Sequence, residues 1–150
     1  MGSLEEDIKQ KRFNNEFHKC LVNLIYTSNF FQQLQLPFFR KYDLTIPQFN
    51  VLRILRGQHP KASTVNLLIE RMLDKSSNAS RIVDKLEHKE LVIRKQCPSD
   101  RRAVDVFISD SGLELLSRMD DDLVVLEDSM RKLDEGECRE LNRLMDKMRG

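Results

Sequence analysis

The chain has 150 residues, 40% of them hydrophobic and 33% charged, and carries a formal net charge of +1. That length suits one domain, or a small domain with helical extensions, and no apolar run reaches the ~18 residues that a membrane-spanning helix needs. Three cysteines (Cys20, Cys97, Cys138) and three scattered histidines form no metal-ligand spacing and no disulfide framework, so a reducing compartment and no metal are expected.

The opening Met1-Gly2-Ser3-Leu4 has neither the basic nor the apolar stretch of a secretory signal, which again points to the cytoplasm. From residue 4 to residue 35, Ile8, Phe13, Phe17, Cys20, Leu21, Leu24, Ile25 and Phe31 recur at helical spacing, and no Gly or Pro intervenes before Pro37. One long helix is expected, with Cys20 on its apolar side. Such a helix exceeds what a small core needs, and its surplus apolar face suggests a subunit contact. A helix lying over its own domain is the alternative.

Thr45 is placed to cap the next helix, with Pro47 in its first turn, Phe49, Leu52, Ile54 and Leu55 inward, and Gly57 at its end. Ser63 or Thr64 then caps a short helix through Met72, with Leu67, Leu68 and Met72 inward, and Leu73-Asp74-Lys75 reads as a turn. Residues 76–89 read as a helix about 21 Å long. Ala79, Ile82, Val83 and Leu86 must face the core, which leaves Ser77, Asn78, Ser80, Arg81, Asp84, Lys85 and His88 outside. Short polar groups and an arginine gather at its N-terminal end. That is the end a recognition helix presents to base edges, and its dipole favours phosphate.

Residues 91–96 and 103–108 have strand composition, with Val104, Val106 and Ile108 alternating to one side, and Ser99-Asp100-Arg101-Arg102 sits at the turn between them. Ser109 caps a long helix to about Met130, containing Leu113, Leu116, Leu123 and Leu126. Asp134 and Glu137 form a capping box for a last helix with Leu141, Leu144, Met145 and Met148. Charge is unevenly divided: residues 71–102 hold nine basic and five acidic residues, whereas residues 103–128 hold eight acids against Arg118 alone. Positive potential is thus concentrated where phosphates would be drawn.

A groove-sized helix followed by an arginine-tipped β-ribbon grips duplex DNA in two places. The expected fold is mainly α with a small β-wing: a winged helix-turn-helix DNA-binding domain over 44–109, flanked by dimerisation helices over 4–36 and 110–150. No GxGxxG, P-loop or GxSxG is present, so neither an enzyme nor a cofactor is expected.

These segments resemble the MarR (multiple antibiotic resistance regulator) family of bacterial transcription factors. The resemblance rests on Leu44-Thr45-Ile46-Pro47-Gln48-Phe49, on residues 77–86, on Asp100-Arg101-Arg102-Ala103-Val104, and on Ser109 with Gly112. It covers residues 44–116 in motif and nearly the whole chain in helix order. One departure is Glu90, where the family has glycine, as a helix C′ position with positive φ favours. The resemblance implies a homodimer, held by its terminal helices, on a pseudo-palindromic double-stranded DNA operator. It implies most often a repressor, released by a small aromatic or apolar effector.

By the same resemblance Arg102 reaches the minor groove, braced by Asp100, with Arg101 beside it. Ser77, Asn78 and Arg81 are the candidates for the major groove, with Ser76 and Ser80 alongside. Lys75, Lys85, Arg94 and Lys95 are the candidates for phosphates, where they add affinity without sequence information. An effector pocket is expected near Phe17, Tyr26, Phe38 and Phe49. Two alternatives stay open: a regulator of the same fold that senses redox through Cys20, and a winged-helix protein-interaction module without DNA binding.

Overall fold

The computed structural model describes residues 2–96, 104–129 and 131–150. The chain divides into two compact units, Met1–Lys41 and Tyr42–Gly150.

The first unit holds α1 (Leu4–Asp7) and α2 (Glu16–Lys41). The single helix expected from residue 4 is therefore broken. Lys9 takes up a left-handed conformation (φ 55°) just beyond α1. Asn15 then starts a new helix, its Oδ1 accepting the His18 N–H at 2.9 Å and its carbonyl the Lys19 N–H at 3.1 Å. A side-chain cap of this kind satisfies a donor that the first helical turn cannot. At its other end α2 runs through Pro37 to Lys41, beyond the expected stop; the proline removes one backbone donor without ending the helix. Lys19 reaches back to Glu5 at 2.5 Å, and Phe13 meets His18 edge-on at 5.7 Å, so residues before α2 lie along it.

The second unit contains α3 (Ile46–Gln58), β1 (Ser63–Thr64), α4 (Val65–Arg71), α5 (Ala79–His88), β2 (Val92–Gln96), β3 (Val104–Ile108), α6 (Asp110–Asp128) and α7 (Glu135–Arg149). Thr45 caps α3 through a reciprocal box with Gln48, and the helix passes Gly57 by one residue. Thr64 and Ser109 cap α4 and α6 through their hydroxyls, and Asp134 with Glu137 boxes the start of α7. The sheet is antiparallel in the order β1-β3-β2, with Ser63 opposite Val106 and Val92 opposite Ile108. β1 is too short to show a period in sequence.

The core gathers Val51, Leu52 and Leu55 of α3, Leu68 of α4, Ala79, Val83 and Leu86 of α5, Val106 and Ile108 of β3, and Leu116 and Met119 of α6, all buried. The helical and two-residue periods thus meet on one interior. Val104, expected on the inward side with Val106 and Ile108, is instead 40% exposed near the start of its strand. α7 buries nothing in the single chain, and Leu141, Leu144 and Met148 stand exposed.

The join between α5 and β2 explains how glutamate replaces the expected glycine. Glu90 has φ 59°, its N–H donates to Glu87 O at 2.8 Å, and the Leu91 N–H donates to Leu86 O at 3.0 Å. These two bonds close a Schellman motif with Glu90 at C′, where an L side chain crowds the backbone. Glu90→Gly is expected to raise stability by about 1 kcal/mol, less a small loss because glycine loosens the unfolded chain. Urea unfolding of the two forms checks this, and a destabilised variant would show that the left-handed turn carries no strain.

Candidate nucleic-acid interface

α4, a turn at residues 72–78 and α5 form the helix pair. α5 starts at Ala79, three residues later than expected, and this changes what the preceding residues do. Asp74 organises the turn: its carboxylate accepts from the Ser76 N–H (2.9 Å), the Ser76 hydroxyl (2.6 Å) and the Ser77 hydroxyl (2.7 Å). The two serine hydroxyls hold the Asp74 carboxyl below the usual carboxylate range, with the Ser76 contact the larger cause. What this turn gains from ionised Asp74 is therefore present above that range and fades as pH falls through the lowered value.

Lys75, though exposed, donates to the carbonyls of Ile69 (3.0 Å) and Glu70. These are end-of-helix acceptors without intrahelical partners, at the negative end of α4. Asn78 caps α5, its Oδ1 accepting the Arg81 N–H at 3.0 Å. Three of the expected DNA contacts, Lys75, Ser76 and Ser77, thus make hydrogen bonds within the turn. Asn78 has its amide oxygen committed to the cap.

The residues left facing outward on α5 are Ser80, Arg81, Asp84, Lys85 and His88. Neither Arg81 nor Lys85 has a side-chain hydrogen bond or ion pair among the described residues. They line one wall of an open cleft with Ser77, Asn78 and Ile82, opposite Thr45, Pro47 and Gln48. This places Arg81 near the positive end of the helix and Lys85 one turn further on, in its last turn.

Arg94, expected on a phosphate, is held by two acids of α5. Its Nη1 donates to Asp84 Oδ1 at 2.6 Å, its Nε to Glu87 Oε2 at 2.7 Å, and its Nη2 to the same oxygen. The guanidinium lowers the Glu87 carboxyl, chiefly through that hydrogen bond. Asp84 therefore orients Arg94, not Arg81. Two acids three apart on an outward helix face were the available sequence signal for this pairing. Lys95 lies over the Phe107 ring at 5.5 Å. Asp100, Arg101 and Arg102, the expected wing contacts, lie outside the described residues, as does Cys97.

Other ties support the helix pair and were not anticipated. Asn50 Oδ1 accepts the Leu73 N–H at 2.9 Å, and Lys89 donates to Asp43 Oδ2 at 2.7 Å and to the Asp43 carbonyl. Arg56 forms a two-pronged bridge to Asp120 (2.7 and 3.1 Å), and the Tyr42 hydroxyl donates to Asp122 at 2.7 Å. These bonds join α3 and the residues before it to α5 and α6.

Of the expected effector-pocket residues, Phe49 is buried in the second unit, whereas Phe17 is 87% exposed and so encloses nothing in the single chain. Tyr26 is half-buried, its phenol pushed up first by burial and then by Asp7; Phe38 meets Phe39 edge-on at 5.0 Å. Cys20 lies on the face of α2 shared by Phe17, Leu21 and Leu24, and is exposed instead of packed. Among the described residues no group of three or more His, Cys, Asp or Glu is arranged to hold a metal ion, and no helix is long and apolar enough to cross a membrane.

A helix pair with its second member facing outward, followed by an antiparallel ribbon, is a winged helix-turn-helix, the class of fold that DNA-binding regulators use. The MarR family model matches residues 44–104. The chain is 32% identical over 113 residues to the HTH-type transcriptional regulator MgrA of Staphylococcus aureus, covering 73% of each chain. The crystal structure of a MarR transcription factor from Planctomyces limnophilus is 28% identical, with a TM-score of 0.70 over 90% of this chain and 98% of that one. The S. aureus MepR–DNA complex superposes with a TM-score of 0.76 at 21% identity, over 91% and 97% of the two chains. The chain belongs to the MarR family of transcriptional regulators.

Proposed function

We propose that the chain acts in the bacterial cytoplasm as a homodimer on a pseudo-palindromic operator, usually as a repressor. The observation that carries this reading is the face of α5. Its inner side is buried by Ala79, Val83 and Leu86, while Arg81 in its first turn and Lys85 one turn further on face outward, their side chains without partners among the described residues. The relative MepR has been seen on DNA with the same fold. Dimerisation through residues 4–36 and 110–150 is supported by apolar groups exposed in each region: Phe17, Leu21, Leu24 and Ile25 of α2, and Leu141, Leu144 and Met148 of α7. Scattered exposed apolar residues are ordinary, but stripes repeating at helical spacing suit a partner.

In this reading Arg81 and Lys85 address the major groove and its phosphates, Ser80 lies beside them, and Arg101 and Arg102, with Asp100 bracing them, address the minor groove. A small apolar or aromatic effector releases DNA by favouring a spacing of the two heads that no longer fits successive grooves. Cys20 would be covered by the partner subunit, which disfavours the redox alternative.

Selection of bound duplexes from a random pool, with light scattering on the purified protein, tests the proposal. A dimer mass and a palindrome with half-sites about 10 bp apart are expected. A monomer, or binding that is absent or insensitive to salt, would favour the protein-interaction module instead.

A further inference from the structure

We infer that Arg94 is a positioning residue, which sets the wing against the recognition helix through Asp84 and Glu87 without touching DNA. The inference rests on the DNA-reading role proposed for α5 and the wing. Only the first residue of β2, Val92, is buried; Ile93, Arg94, Lys95 and Gln96 are exposed. Burial of its own side chains therefore holds β2 only where it leaves α5; its outer half is held by the ladder to β3, not by burial against α5.

The Arg94 fork spans that gap. It carries three N–H donors to two carboxylates on the outward face of α5, and β3 is tied to it through the Arg94–Val106 pairing of the ladder. A planar guanidinium holding two acids at once defines an angle, which a lysine ammonium does not. The strand so held leads in sequence to Arg101 and Arg102. The arrangement also gives a structural use to two acids on a surface meant for phosphates: they hold Arg94, which offsets one of their two charges.

The test compares the parent with Arg94→Lys and with the double variant Asp84→Asn/Glu87→Gln. The probes are a duplex selected from a random pool by the parent and a random-sequence duplex of equal length. Arg94→Lys keeps the charge and loses the fork, so affinity for the selected duplex is expected to fall about tenfold. The double variant removes two negative charges, which by charge alone tightens binding. A positioning role predicts the opposite for the selected duplex, an affinity about tenfold lower, with the random duplex bound as well or better.

Amide hydrogen exchange supplies a readout that needs no DNA. Both variants should lose protection at residues 92–96 and 104–108 while Val83 and Leu86 keep theirs. Parental affinity in Arg94→Lys, or tighter selected binding by the double variant with unchanged strand protection, would overturn the inference and return Arg94 to a phosphate contact. If the parent selects no duplex, the DNA reading fails, and strand protection alone still decides whether Arg94 holds the wing.

Discussion

Gly112→Ala is expected to destabilise the protein by about 3 kcal/mol, although alanine ordinarily improves a helix interior by roughly 1 kcal/mol over glycine. Gly112 lies in the first turn of α6, where its N–H donates to the Ser109 hydroxyl at 3.0 Å. A Cβ at this position would stand 2.4 Å from the Leu91 carbonyl oxygen and 2.8 Å from Ile108 Cγ1. The Leu91 carbonyl cannot retreat cheaply, because it accepts the Ser109 N–H at 3.1 Å and the Leu91 N–H is itself held by Leu86. Ile108 is buried and has nowhere to swing.

The overlap thus falls at one node where α5 ends, β2 begins, β3 ends and α6 begins, and the Ser109 hydroxyl also donates to Glu90 O there at 2.7 Å. Thermal unfolding should show a midpoint lower by about 10 °C, since 1 kcal/mol moves a domain of this size by roughly 2–4 °C. A variant as stable as the parent would mean that α6 does not rest on the Leu91 backbone.

Arg81→Ala is expected to weaken binding to a selected duplex by about 10- to 100-fold, the ~1–3 kcal/mol of a good base contact, while unfolding stability stays within about 0.5 kcal/mol. The two readouts separate because Arg81 is exposed, its side chain has no partner among the described residues, and its backbone N–H, which Asn78 caps, survives the substitution. The dependence of affinity on salt then sorts the contact: an unchanged slope marks a base edge, and a slope smaller by about 1 marks a phosphate. Parental affinity would remove Arg81 from the interface and leave Lys85 and the wing as its cationic part.

Much of this site could be read from the sequence because it obeys local rules. The inward set of α5, the caps at Thr45, Ser109 and Asp134, and the pairing of Ser109 with Gly112 depend on residues within one or two turns of each other. The positive φ at Glu90 was visible as a departure from a glycine position. The reason for Gly112 was not, because the atoms it must clear belong to Leu91 and Ile108 and arrive by packing. The break before α2 is harder to read for another reason: no Gly or Pro marks it, and it comes from the left-handed turn at Lys9 and the cap at Asn15.

Periodicity and capping residues placed the buried side of α3 and most of that of α5, and the order of helices and ribbon from α3 onward apart from β1, because each element must hide one apolar face and satisfy its own ends. Tertiary structure decided which cations are free. Lys75, Lys89 and Arg94 look as available in sequence as Arg81 and Lys85, but folding brings α4 carbonyls, Asp43, and the Asp84–Glu87 pair within hydrogen-bond reach of the first three. A charge finds its partner through space, and the Asp43–Lys89 pair lies 46 residues apart along the chain.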